Sequence, residues 1–202
     1  MMQKLRSFLS ICFAVFLAMA AIGPQALAED ARFLRGQIAA HDGNHAAAME
    51  AWLPLAREGH VKAQYGVGSL HAEGQGTPLD MTEALVWWRL AAEQGDDRAQ
   101  FNIAAMYKAG LGAERDDVQA FSWMERAAER GNRSAQARLS KFYAEGSGVE
   151  RDPKSAFIWF EIARLAGRTI GASNRVGLRA QLNEQYREDA IRRAAAWRAK
   201  SD

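Results

Sequence analysis

Few residues of this chain could do chemistry. The four histidines, His41, His45, His60 and His71, all fall in the first half. His41 and His45 are four apart, a spacing that suits two metal ligands on one helical face. The run Asp42-Gly43-Asn44 between them is turn-forming, so they read as two solvated side chains flanking a turn. The single cysteine, Cys12, lies in an apolar run near the start. No His-Glu-x-x-His, Ser-x-x-Lys, Gly-x-Ser-x-Gly or phosphate-binding Gly-rich lysine loop is found. Gly74-x-Gly76, Gly110-x-Gly112 and Gly146-x-Gly148 follow helical patterns, not strands, so a dinucleotide reading has no structural context. They read instead as helix exits with a tight connection. Six tryptophans invite a carbohydrate-binding reading, which depends on where they point. No catalytic, cofactor-binding or metal-binding residue is therefore assigned.

The elements that would position any site are set by one interval. Gly59, Gly95, Gly131 and Gly167 are 36 residues apart. Ala63-Gln64 recurs as Ala99-Gln100 and Ala135-Gln136, and Ala48 as Ala84, Ala120 and Ala156. Trp87 recurs as Trp123 and Trp159, and each Gly-x-Gly is followed by an aspartate: Asp80, Asp116 or Asp152. A fixed period of this length marks a repeat array.

Asp80–Gly110 serves as the specimen unit. Asp80 is a good N-cap, and Glu83 three residues later completes a capping box. Asp116 with Gln119 repeats this, and Pro153 after Asp152 suits a first helical position. Ala84, Trp87, Trp88, Ala91 and Ala92 then form one apolar helical stripe, which Gly95 ends as a left-handed C-terminal residue. Ala99, Ile103, Ala104, Met106 and Tyr107 form the stripe of a second helix. Each unit is thus an antiparallel helical hairpin, with small residues (Gly68, Ala104, Ser140) allowing close approach. Stacked neighbours bury what a lone hairpin cannot. Trp87, Trp88, Trp123 and Trp159 fall on the stripe and Trp52 aligns with Trp88, so the tryptophans read as core. His71 takes the place of Tyr107 and Tyr143 and reads as a stripe member.

The run Ala84-x-x-Trp87-x-x-x-Ala91-Ala92-x-x-Gly95-x-x-x-Ala99-Gln100, with Met106-Tyr107-x-x-Gly110-x-Gly112, resembles the Sel1-like repeat, a relative of the tetratricopeptide repeat. The resemblance covers about Asn44–Gly167 as three copies and a half. It implies an all-α, right-handed α-solenoid of stacked antiparallel hairpins that binds other proteins, often in bacterial envelope or signalling contexts. By analogy with tetratricopeptide repeats, the inner wall comes from the Ala-Gln helices. It would present Lys62, Tyr65 and Ser69 from the first copy, Arg98, Phe101, Ala105 and Lys108 from the second, and Ser134, Ala137 and Lys141 from the third. Aromatics among basic and small residues would suit an extended or helical peptide of some acidic character. The competing reading is that Tyr65 and Phe101 pack between neighbouring repeats. Some secreted, cysteine-rich relatives are associated with β-lactam binding, but the cysteine pairs are missing here.

The ends carry their own signals. Lys4 and Arg6 precede an uncharged, mostly apolar stretch from Ser7 to Gly23, and Ala26-Leu27-Ala28 fits a cleavage site. Residues 1–28 thus read as a secretory signal peptide, with an uncleaved membrane anchor as the competitor. Its loss takes Lys4 and Arg6 from 26 basic residues, leaving 24 against 24 acidic. No net positive field remains for nucleic acid, and no thiol remains at all. Residues 29–202 form one domain: a lid helix in 29–43 (Asp30 as cap, ending at His41), repeats in 44–167, and capping helices in 168–202. Pro54 lies inside a helical pattern, which predicts a kink near Glu50–Pro54. Past Gly167, Ala172–Leu182 reads as the partner helix of the fourth hairpin. Asn183 then caps Glu184–Lys200, with Tyr186, Ala190, Ala194 and Trp197 as its core stripe. Its other face carries Arg187, Glu188, Asp189, Arg192, Arg193 and Arg198, read as a solvated cap or, alternatively, a basic patch.

The reading is an exported, periplasmic or secreted protein-interaction scaffold or adaptor without cofactor, binding a protein or peptide in the cell envelope. Neither nucleic-acid binding nor membrane insertion is expected once the leader is removed, and a monomer is favoured. A hydrolase acting on cell-wall or β-lactam material is the alternative from another class.

Overall fold

A computed structural model describes residues 24–167 and 177–201; residues 1–23, 168–176 and 202 lie outside them, and with them most of the expected signal peptide and the first part of the expected Ala172–Leu182 helix. Nine helices lie wholly among the described residues: α1 Pro24–His41, α2 His45–Arg57, α3 Val61–Glu73, α4 Met81–Glu93, α5 Asp97–Ala109, α6 Asp117–Glu129, α7 Arg133–Glu145, α8 Pro153–Leu165 and α9 Glu184–Ser201. Helices α2 to α8 are each 13 residues long, about 20 Å of helix. Consecutive helices pack as antiparallel pairs, and α9 packs along α8. The result is an α-solenoid.

The boundaries are written in local chemistry. Asn44, Asp80, Asp116 and Asp152 cap α2, α4, α6 and α8, while His60, Asp96 and Asn132 cap α3, α5 and α7. The reciprocal half of the expected capping box is not made. The Asp80, Asp116 and Asp152 amides donate to the carbonyls of His71, Tyr107 and Tyr143 on the preceding helix. Glu83 instead accepts from Trp87 Nε1 at 2.9 Å. The cap amide is thus spent on joining helices, which a local motif cannot report.

The core sits between helices. Ala48, Ala84, Ala120 and Ala156 have no exposed surface, nor do Ala63, Ala99 and Ala135. Each Ala-Gln glutamine is buried and reaches back across the short turn, Gln64, Gln100 and Gln136 donating to the Ala56, Ala92 and Ala128 carbonyls at 3.0–3.2 Å. The large stripe position is Trp52, Trp88, Met124 and Phe160, all buried. Trp123 is buried as well, whereas Trp87 and Trp159 are only half-buried, against the expectation for the stripe. Trp87 and Trp88 point about 100° apart and serve different clusters, Trp87 packing against that of Trp52, Leu55 and Val67 and Trp88 joining the next. Trp88 lies against Gly68, where a β-carbon would come within 2.6 Å of its ring. Its Nε1 donates to the Tyr65 carbonyl at 3.2 Å.

The second glycine of each Gly-x-Gly loop has a positive φ and abuts the helix start one repeat back. Gly76 meets His45, Gly112 meets Met81 and Gly148 meets Asp117, backbone against backbone. A side chain has no room there, and the left-handed conformation disfavours one anyway. These loops therefore stack the repeats as well as connecting helices.

The ends differ from expectation in detail. Helix α1 starts at Pro24, not after Asp30, because a proline at the first helical position lacks only an amide that would have no partner. Helix α2 runs unbroken through Pro54, three residues before its end. At the other end, residues 177–180 are helical and Asn183 caps α9 through the Tyr186 amide at 3.0 Å. Leu178, Leu182, Ala190 and Ala194 are buried, whereas Tyr186 is exposed beneath Lys154 and Trp197 is half-buried, edge-on to Trp159. The arginines of α9 are interleaved with acids: Arg187 meets Glu184, and Arg192 and Arg193 meet Asp189.

Candidate peptide-binding wall

The expected wall residues lie on α3, α5 and α7, but the wall begins one helix earlier. Gly36 on α1 packs against Trp52 as Gly68 on α3 packs against Trp88. Trp52 Nε1 donates to the Phe33 carbonyl at 3.1 Å, as Trp88 Nε1 does to Tyr65. Helix α1, expected as an N-terminal lid, therefore packs on α2 in the register in which α3 packs on α4. The relation is hidden in sequence because residues 42–44 connect α1 to α2, whereas residues 74–80 connect α3 to α4. With this register Phe33, Tyr65 and Phe101 are equivalent positions on successive inner helices.

Two grooves open on this wall. The first, about 370 Å³, lies between α1 and α3. Trp52, Gly66 and Leu70 line its apolar part, with Phe33 and Gln37 from α1, Lys62, Tyr65 and Ser69 from α3, and Arg98 from α5. The second, about 470 Å³, is lined by Trp88, Met106 and Leu111, with Asn102, Ala105, Lys108 and Arg138. Six of the ten expected wall residues thus line a groove. Ala137 and Ser134 are half-buried on α7, and Lys141 is exposed beside Glu145 at 3.6 Å.

The Tyr65 and Phe101 rings are each covered by a cation from the next inner helix. The Arg98 guanidinium lies 4.1 Å from the Tyr65 ring centre, and that of Arg138 lies 5.1 Å from Phe101. Tyr65 and Phe101 also pack against the core between repeats, so wall and packing roles coincide at these positions. Arg98 is held by its own helix cap, pairing with Asp96 at 2.5 Å, and this hydrogen bond raises its pKa. Ser69 spends its hydroxyl proton on the Tyr65 carbonyl. Lys108 is tied to Asp117 at 3.1 Å and to Ser147, while Arg115 meets the same carboxylate. Hydrogen bonds from Arg115 and Lys108 hold the Asp117 carboxyl well below the usual range. Lys108 is thus a structural tie more than a free cation. Arg138 has no repeat counterpart, standing where α5 has Asn102 and α3 has Gly66, so the periodicity did not mark it.

The histidines do not assemble. His60 Nδ1 accepts from the Ala63 amide at 3.1 Å as an N-cap, a role no metal could share. His45 lines the first groove and His41 is exposed. His71 is half-buried in the position of Tyr107 and Tyr143. Among the described residues no three His, Cys, Asp or Glu side chains gather closely enough to hold a metal ion.

Comparison with known proteins agrees with this architecture. The Sel1 repeat matches residues 61–96, 97–132 and 133–167. Each match takes α3 with α4, α5 with α6 or α7 with α8, half a unit out of phase with the Asp80–Gly110 specimen. No curated protein matches the chain. Among solved structures, a Sel1 repeat protein from Oxalobacter formigenes superposes with a TM-score of 0.68 at 27% identity, over 92% of this chain and 78% of that one. The protein c5321, a protective antigen present in uropathogenic Escherichia coli strains and displaying an SLR fold, superposes with a TM-score of 0.51 at 25% identity. That match covers 86% of this chain but 46% of c5321.

Proposed function

The chain belongs to the Sel1 repeat family, and from that premise we propose that it is a protein–protein interaction scaffold that binds its partner along the inner wall of the solenoid. We propose further that it acts outside the cytoplasm, as an adaptor or modulator of an envelope complex or of a sensor's extracytoplasmic domain. One observation carries the binding face: Phe33, Tyr65 and Phe101 line up on successive inner helices beside two apolar-floored grooves. Large tryptophans elsewhere are taken up by the stack. Nothing among the described residues favours a hydrolase over this reading.

Export rests on the leader. Cleavage after Ala28 would remove the first five residues of α1 and leave Glu29 and Asp30 in its new first turn, where acids suit the positive end of the helix dipole. No described helix is long and apolar enough to cross a membrane.

Pull-down from the native envelope with the processed chain and with a Tyr65→Ala/Phe101→Ala variant tests the binding face. The expected result is a partner captured by the parent chain and lost with the variant, whose fold is checked first by its melting curve. Equal capture by a folded variant would move the interface elsewhere, with the arginine-bearing face of α9 next in line.

A further inference from the structure

We infer that the wall selects an acidic segment of its protein partner, bound with apolar side chains in the two grooves and carboxylates on Lys62 and Arg138. This rests on the reading of the wall as the partner-binding face and adds its chemistry.

The argument is one of charge accounting on the wall. Its cations are Lys62, Arg98, Lys108, Arg138 and Lys141. Arg98 is paired with Asp96, Lys108 with Asp117 and Lys141 with Glu145. Lys62 and Arg138 meet no carboxylate among the described residues, and each lines a different groove. Each groove therefore combines an apolar floor, Trp52 and Leu70 or Trp88 and Met106, with one cation that makes no ion pair of its own, Glu73 lining the first groove without pairing with Lys62. Arg138 is also pre-oriented by its seat on Phe101, which lowers the entropy cost of receiving a carboxylate. A ligand that alternates apolar and acidic side chains satisfies both grooves at once.

The same accounting disfavours a dense polyanion. Glu73 lines the first groove and Glu145 stands beside Lys141. Asp30 stands on α1 in the register of Lys62. Two uncommitted cations, one on α3 and one on α7, fit separate carboxylates, whereas a nucleic-acid backbone needs a continuous basic track.

Fluorescence anisotropy tests this with defined probes: pools of labelled twelve-residue peptides in which Leu, Phe and Tyr alternate with Asp and Glu, or with Asn and Gln, and a labelled single-stranded oligonucleotide. The acidic pool is expected to bind about ten-fold tighter than the amide pool, consistent with two exposed ion pairs. A Lys62→Gln/Arg138→Gln variant, shown to be folded by circular dichroism, should abolish the preference, so that on the variant the acidic pool binds no tighter than the amide pool. Equal binding of the two pools, a preference that survives the double substitution, or tighter binding of the oligonucleotide would overturn the inference. Phe101→Ala separates the two levels. If it weakens both pools while neither is preferred, the acidic selectivity fails and the wall stands. If no pool binds, or none responds to Phe101→Ala, both fail.

Discussion

Single residues in this protein do different work at equivalent sequence positions, and the tryptophans show it best. Trp88 is buried between α3 and α4, whereas its neighbour Trp87 is half-exposed and hydrogen-bonded to Glu83. Trp88→Ala should destabilise the fold by about 3–5 kcal/mol, as large aromatic truncations in packed cores do. Trp87→Ala should cost clearly less in the same denaturant titration, and equal losses would contradict the assignment. Caps give a second residue-scale test. Burial pushes the Asp152 carboxyl up, but bonds from the Ser155 hydroxyl and the Lys154 and Ser155 amides outweigh it and leave its pKa below the ordinary value. A depressed pKa means stability present above the unfolded value, about 3.9, and lost as pH falls through the folded one. The melting temperature of the parent chain should therefore exceed that of Asp152→Asn near pH 6, and the gap should close below about pH 4. A gap independent of pH would mean that the carboxylate's charge contributes nothing.

At the scale of elements, the sequence was legible where structure is set locally. The 36-residue step located α2 to α8, and aspartate, asparagine and glycine marked their ends, because caps act within one turn. Relations between elements were less legible. Helix α1 reads as a lid because its connection to α2 is shorter than the connection from α3 to α4, which takes Phe33 and Gly36 out of the 36-residue register. Arg138 was missed because it lies over the ring of a different helix, a contact that no single-helix pattern encodes. Lys108 was expected on the wall, but its tie to Asp117 and Ser147 comes from loops and helix starts brought together only by stacking. The Gly-x-Gly loops were read as connections alone, whereas their second glycines press on the preceding repeat. Gly148→Ala should accordingly destabilise by at least about 2 kcal/mol, combining a left-handed alanine with backbone overlap at Asp117. Gly131→Ala at a left-handed position with open space around it should cost less. Equal effects in thermal melts would remove the loops' stacking role.

For the molecule as a whole, stacking and binding are two uses of one repeat. Alanines, glutamines and the Trp52, Trp88, Met124 and Phe160 row hold successive helices together, which frees the inner helices to vary on their open side. That side carries the aromatic row, the two grooves and the cations. The central claim is that a protein partner lies along it. Site-specific photo-cross-linking tests this most directly, with a photoreactive residue placed at Phe101 on the wall or at Val86 on the opposite, outer helix, in the native envelope. The account predicts a discrete cross-linked protein from position 101 and none from position 86. A product from position 86 alone would contradict it.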